Sequence, residues 1–340
     1  MYEQLEMNMY DDIASRIESL PSCSAENLLM GISVCDDDIQ VKYPSNVYIN
    51  TSVNIKKVGG DSMFGKVVLM EIEGIMDSYI LKSSYNSNVS KETLDREIVI
   101  ALFGINKLHK FTPNFPKSYG FFSCGPIINN KIMCENTKVK TKYFIQEYVK
   151  NSITYRQFLS DRNIDYEKLI SVLFQIYISL YIGYENIKFT HNDLHEENIL
   201  IQKLDERMTL EYVVSGKKIY HSTNILVKII DFGYSTMIID GVEYVSSFVH
   251  NNNIVKIDSN TSPIVDIFKL DFPKNDNLKL PFMRNIFSFL PKDLVYSDVY
   301  FIEDFNNEKL FITFMNKFFN DLPVDFYMYK NTHEFPLIKC

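Results

Sequence analysis

The stretch that decides the reading is Thr190-His191-Asn192-Asp193-Leu194-His195-Glu196-Glu197-Asn198-Ile199-Leu200, answered downstream by Lys228-Ile229-Ile230-Asp231-Phe232-Gly233. Both set oxygen donors into apolar frames. Leu194 follows Asp193 and the run Ile199-Leu200-Ile201 follows Asn198, so apolar residues anchor the loop on both sides, and Asp231 follows the buried-looking run Ile225–Ile230. An aspartate and an asparagine in an ordinary polar turn need no apolar anchors on both sides. Anchored in this way, a carboxylate, a carboxamide and a second carboxylate can be offered at fixed positions to a proton or a hard cation. Gly233 is expected to free the backbone for the turn that follows Asp231.

Working outward, 340 residues suffice to bury a full core in one large two-lobed domain or two small ones. A formal net charge of −8 and a pI near 5.4 give nucleic acid or anionic membrane no electrostatic claim as the main partner. Cys23, Cys35, Cys124, Cys134 and Cys340 form no C-x-x-C pair and are odd in number, so they read as reduced thiols of an intracellular protein. Met1–Tyr10 carries acids and no apolar core, so no signal peptide is expected. No stretch runs long enough without charge to span a bilayer, and the sequons at Asn50 and Asn88 are read as idle. Abundant Ile, Asn, Lys, Tyr and Phe without Trp point to an AT-rich genome.

The pattern divides the chain into an extension over 1–45, a β-rich part over 46–150 and a third part over 151–340. In the extension, the spacing predicts a short helix over Asp11–Leu20, broken by Pro21 and followed by an acidic turn at Cys35-Asp36-Asp37-Asp38. Val53–Val58, Gly65–Glu73 and Tyr79–Lys82 read as strands, separated by Gly59-Gly60 and Gly74. Ser90–Leu108 reads as one helix, with Leu94, Ile98, Ala101, Leu102, Ile105 and Leu108 on its stripe. Glu97 lies on that stripe, where a carboxylate needs a cationic partner, and Lys82 is the nearest candidate upstream. Strands around Lys117–Cys124 and Lys142–Val149 bracket an excursion at Ile127–Lys140. Asp165–Ile187 reads as a core helix, apolar nearly all round, and Asn307–Asn320 as a last helix with one apolar face.

Over about Val53–Leu270 these residues resemble the protein-kinase superfamily. His191-x-Asp193 with Asn198 looks like its catalytic loop, and Asp231-Phe232-Gly233 like its magnesium loop. The resemblance implies an α+β, bilobal fold: a β-rich N-lobe with one key helix, and a mainly helical C-lobe. It implies ATP and Mg2+ as cofactors, with Asp193 at the acceptor hydroxyl and Asn198 and Asp231 as metal ligands. Lys82 and Glu97 would form the pair that orients ATP, and His195 joins the catalytic set. Gly60-Asp61-Ser62-Met63-Phe64-Gly65-Lys66-Val67 is similar to the phosphate-covering G-x-G-x-x-G-x-V loop, with Ser62 in place of the middle glycine. In isolation an ordinary hairpin turn would look the same. Gly60, Ser62 and Gly65 would meet the phosphates, and Val67 would roof the adenine. Phe144–Val149 looks like the hinge, with Gln146 as gatekeeper, Glu147 and Val149 beside the adenine and Leu200 as its floor. Ser262–Phe268 looks like the start of the central C-lobe helix, whose aspartate braces the catalytic loop.

Four departures bear on function. Asn192 stands where the family has an arginine, and no A-P-E motif follows, so phosphorylation control of the usual type is not expected. His195 replaces a lysine, and D-L-H-x-x-N is similar to haspin-like kinases and to aminoglycoside and choline kinases. The interval from Asn198 to Asp231 is about twenty residues longer than the family norm. It holds a predicted hairpin, Tyr212–Tyr220, within an insertion at about 205–225, and in this it looks like the kinase-like proteins of large DNA viruses. The expected function is a serine/threonine protein kinase that moves the γ-phosphoryl of Mg-ATP to a protein hydroxyl, in the host cytoplasm or a virion. Two other readings stay open. One is a small-molecule kinase, favoured by His195 and the missing A-P-E; the other is a pseudokinase scaffold, favoured by Ser62, Asn192 and His195.

Overall fold

The computed structural model describes residues 12–13, 15–16, 53–58, 65–72, 78–85, 88–124, 126–128, 131–132, 141–161, 164–250, 253–257, 263–271, 307–322 and 328–329. They fall into two units, one within Met7–Lys107 and Pro116–Lys150, the other within Leu108–Phe115 and Asn151–Cys340. Of the predicted N-terminal helix, Asp12, Ile13, Ser15 and Arg16 are described and helical, and Arg16 Nε lies 2.7 Å from Asp12 Oδ2. The acidic turn and the rest of 1–45 lie outside the described residues.

In the N-terminal unit, β1 (Val53–Lys57), β2 (Gly65–Ile72) and β3 (Ser78–Ser84) precede the helix α1 (Asn88–Val99). There follow β4 (Ser118–Cys124), the small hairpin β5 (Ile127–Ile128) and β6 (Lys131–Ile132), and β7 (Thr141–Glu147). The main sheet runs β1-β2-β3-β7-β4, antiparallel throughout. Alternation in β3 buries Tyr79 and Leu81 in a cluster with Ile55, Val68, Met70, Phe122, Tyr143 and Ile145. Gly65 faces Ser84 in the ladder, and a Cβ there would lie 2.0 Å from the Ser83 carbonyl oxygen, so only glycine fits.

The helix expected to run unbroken to Leu108 is α-helical only to Val99. A π-turn over Ile100–Gly104 and a 3-10 turn over Ile105–Lys110 complete it. The wider turn rotates the apolar stripe: Val99 and Ile100 are buried beside Ala101, whereas Leu102 is only half-buried.

The C-terminal unit recruits Leu108–Phe115. Phe111 O accepts from Val213 N at 2.9 Å and Asn114 O from Ile229 N at 2.8 Å, while Lys228 Nζ donates to Phe115 O at 3.1 Å. Its strand β8 (Ser152–Thr154) leads into α2 (Tyr155–Leu159), started by a capping box between Thr154 and Gln157. The long helix α3 (Tyr166–Ile187) is capped by Asp165 and ends at left-handed Lys188 (φ 51°). Leu169, Val172, Leu173, Ile176 and Leu180 are buried on it as expected.

The same helix also buries Ser171, Gln175 and Ser179, spaced one turn apart. Gln175 Nε2 donates to Ile225 O, and its Oε1 accepts from Val227 N, each at 2.9 Å. Gln175 thereby pairs with a strand as another strand would. Asn114 Nδ2 donates to Gln175 Oε1 at 2.9 Å and to Val227 O at 2.7 Å, and Ser171 Oγ lies 2.7 Å from His221 Nε2.

The strands that face this helix are β9 (Ile199–Val214) and β10 (Lys217–Ile229). They form one ladder from the pair Lys217–Val214 to the pair Ile229–Ile199, with a register shift between Thr223 and Ile225. Ser215 (φ 48°) and Gly216 (φ 74°) make the tight turn, of the kind that matches strand twist. The hairpin thus reaches well beyond the predicted Tyr212–Tyr220. Two short pairs, β11 (Met237–Ile239) with β12 (Val242–Tyr244) and β13 (Ser246–His250) with β14 (Asn253–Ile257), precede α4 (Ile264–Asp271) and α5 (Asn307–Asp321). The final β15 (Met328–Tyr329) completes the sheet order β15-β10-β9-β8. Rings of α5 pack on α3, with Tyr177 at 4.7 Å from Phe318 and Phe174 at 5.7 Å from Phe319. No helix among the described residues is long and apolar enough to cross a membrane.

Candidate functional site

Left-handed Lys188 turns the chain out of α3, and Phe189 N donates back to Gly183 O at 3.2 Å. A Cβ on Gly183 would lie 2.9 Å from Phe189 Cδ1, so the small residue admits the ring. Thr190 then bridges to Thr236, and His191 N donates to Asp266 Oδ2 at 2.7 Å. Asp266, on α4, is the brace expected for the loop. His191 Nε2 lies 2.8 Å from Ile230 O, and Asp193 N donates to His191 Nδ1 at 3.3 Å. A carbonyl can only accept and an amide N–H can only donate, so this network assigns His191 the neutral tautomer protonated at Nε2.

Asp193 keeps 45% of its side chain exposed. His195 Nε2 lies 3.9 Å from Asp193 Oδ2, beyond a hydrogen bond, and its Nδ1 accepts from Glu197 N at 3.2 Å. Asn198 Nδ2 donates to Asp193 O at 2.9 Å, and Asn198 O accepts from Ile230 N at 2.9 Å. With the amide nitrogen engaged, Oδ1 is the atom the side chain leaves for a cation. Asn198 immediately precedes β9, and Asp231 follows β10 by two residues, so the Ile199–Ile229 pair brings the two positions together.

Magnesium suits this donor set. A carboxamide and a carboxylate oxygen are hard ligands, and Mg2+ takes its remaining oxygens from water and substrate phosphates. No group of three or more His, Cys, Asp or Glu able to hold a metal occurs among the described residues.

Phe232 is fully buried, with its ring 6.1 Å from Phe115, 6.2 Å from Phe189 and 6.0 Å from His191. The turn differs from expectation: its left-handed residue is Asp231 (φ 68°), not Gly233. Aspartate tolerates this region because its short polar side chain bonds locally.

In the N-terminal unit, Lys82 Nζ lies 2.5 Å from Glu97 Oε1, with 14% and 7% of the side chains exposed. Alternation along β3 gives Lys82 the face opposite Leu81, and Val67 is its ladder partner on β2. Gly60 and Ser62 lie outside the described residues; Gly65 and Val67 are both in β2. Gln146 is buried and donates from Nε2 to Ser118 Oγ at 3.3 Å. Glu147 N donates to Lys117 O at 2.8 Å, and Lys117 N donates to Glu147 Oε2 at 2.9 Å. Val149 is buried. Leu200 is half-buried in β9 of the C-terminal unit, between Thr154 and Lys228.

One contributor escaped the sequence reading. Arg156, on α2, donates from its backbone N to Glu196 O at 3.2 Å. Its guanidinium lies 3.2 Å from Glu196 Oε2 and 2.9 Å from Glu197 Oε1. The only signal was two adjacent acids within the loop, which read equally well as a solvated turn.

An antiparallel sheet carrying a lysine–glutamate pair to its helix, then a loop braced by Asp266, then Asp-Phe-Gly after the returning strand, make the fold protein-kinase-like, α+β in two units. Viral relatives stand beside it. Over 195 residues the chain is 29% identical to an uncharacterized protein of Invertebrate iridescent virus 6, covering 54% of this chain and 16% of that protein. Over 274 residues it is 20% identical to a probable kinase of Invertebrate iridescent virus 3, covering 79% of this chain and 48% of that protein. The chain thus spans less than half the length of either curated relative. A solved kinase domain aligns at 22% identity and a TM-score of 0.37, over 59% of this chain and 56% of that one. No family model matches.

Proposed function

We propose that the chain is an ATP- and magnesium-dependent phosphotransferase, a serine/threonine protein kinase that acts on a protein hydroxyl inside an infected cell or its virion. The single observation that carries this reading is the hairpin that holds Asn198 and Asp231 together beside half-exposed Asp193. Bound Mg-ATP would supply the transferable phosphoryl group and the cationic charge that offsets its oxygens. Asp193 would orient the acceptor hydroxyl and take its proton. Asn198 Oδ1 and Asp231 would hold the metal. Lys82, fixed by Glu97, would meet nucleotide phosphate.

Asp231→Ala is expected to abolish ATP-dependent label transfer to casein or to the chain itself while preserving the melting temperature. Unchanged transfer would sink the reading. Mass spectrometry of the products reports serine, threonine or tyrosine preference. His195 in the loop also favours a small-molecule acceptor, and ADP release with aminoglycosides and alcohols but not with proteins would select that reading.

A further inference from the structure

The catalytic loop and the segment after Gly233 are joined by a clasp of uncharged residues. Thr190 N donates to Thr236 O at 3.0 Å and Thr236 N to Thr190 O at 2.9 Å. Asn192 Nδ2 donates to Tyr234 O at 3.0 Å and to Thr236 Oγ1 at 3.2 Å, with a longer contact to Thr190 O at 3.4 Å. Ser235 Oγ donates to His191 O at 3.4 Å, and Ser235 N to Phe232 O at 3.0 Å. Thr190, Ser235 and Thr236 are fully buried and Asn192 is 4% exposed. Away from water, such bonds have no solvent competitor and are costly to leave unmade.

Asn192 has φ 65°, a left-handed conformation that asparagine and aspartate adopt more readily than most residues. It directly precedes Asp193, and Tyr234 follows Asp231 by three residues. We infer that Asn192 is a positioning residue: its carboxamide pins Tyr234–Thr236 to the catalytic loop and so holds Asp231 in a fixed relation to Asp193. This rests on the phosphotransferase reading above. A carboxylate of the same shape would have no hydrogen to donate and would repel the Tyr234 carbonyl.

The test compares the full chain with Asn192→Asp, which keeps shape and backbone preference. Two quantities are measured: the Mg2+ dependence of transfer to casein, and amide hydrogen exchange at Ser235 and Thr236. The variant is expected to lose at least about tenfold in kcat and to need several-fold more Mg2+, with KM for casein unchanged. Exchange at both amides should quicken at least about tenfold. Thr236→Val, which removes only the hydroxyl acceptor, should move both quantities in the same direction by less. Wild-type Mg2+ dependence and exchange in Asn192→Asp would overturn the inference. Should that variant not fold, Thr236→Val decides, and unchanged exchange there overturns it equally. If the wild type transfers no phosphate, the phosphotransferase reading falls on its own, and exchange alone judges the clasp.

Discussion

Lys82 Nζ and Glu97 Oε1 are 2.5 Å apart, joined from β3 to α1 at a site where both side chains are largely shielded from water. Removing one partner leaves the other charge in poor surroundings, which costs about 3 kcal/mol. Glu97→Leu is therefore expected to lower the melting temperature clearly and to abolish transfer. The double variant Lys82→Met with Glu97→Leu should recover most of the stability and none of the activity. Recovery of activity in the double variant would show that the pair serves the fold alone.

Gly65 is held by its neighbour strand. A methyl group at this position would meet the backbone oxygen of Ser83, which cannot swing aside as a side-chain tip could. Gly65→Ala should force β2 and β3 apart at a cost of about 1–3 kcal/mol, visible as a drop of several degrees in melting temperature. A variant that melts with the wild type would contradict this packing.

Gln175 fills strand-like hydrogen bonds to Ile225 and Val227 from within a helix. Gln175→Leu removes both and strands a buried amide and a buried carbonyl, each worth about 1–3 kcal/mol when unsatisfied. Urea unfolding should show a lowered midpoint with an unchanged slope. A midpoint equal to that of the wild type would count against the network.

Alkaline pH should find a weak point among the tyrosines. Burial pushes the Tyr212 phenol well above its ordinary value, and burial also raises Tyr143. Burial, with a nearby glutamate charge second, raises Tyr181 beside Glu185 and Tyr184 beside Glu308. Each folded value exceeds the unfolded one of about 10, so the contribution is whole below about pH 10 and is lost as pH rises through the folded values. Melting temperatures should hold to about pH 9 and then fall, and Tyr212→Phe should flatten that fall. Identical pH curves for the two proteins would refute the assignment to Tyr212.

Much of this was legible in the chain. The apolar frames around Asp193 and Asp231 announced a loop between a helix and a strand, and the stripe position of Glu97 pointed to Lys82. The hairpin predicted over Tyr212–Tyr220 is present, with Ser215 and Gly216 at its turn. The length of that hairpin was hidden, since the buried side of β10 includes the polar residues His221 and Thr223, whose partner Ser171 comes from α3. Ser171, Gln175 and Ser179 did recur at helical spacing within an apolar segment, and that polar stripe was the signal available for the network. The docking of Leu108–Phe115 onto the second unit left no local trace, because it depends on strand edges far along the chain.

The hairpin of β9 and β10 has its open end at Asn198 and Asp231 and its closed end at Ser215-Gly216. Length added at the closed end cannot alter the Ile199–Ile229 rung, so the spacing of the two oxygen donors is insulated from how much chain lies between them. The turn is thus where added residues cost little entropy, whereas trimming would remove Ser215, which bonds to Glu185, and then the buried Val214. For the experimenter it is also a handle: a short reporter grafted there would ride on the molecule at the end of the hairpin opposite Asn198 and Asp231.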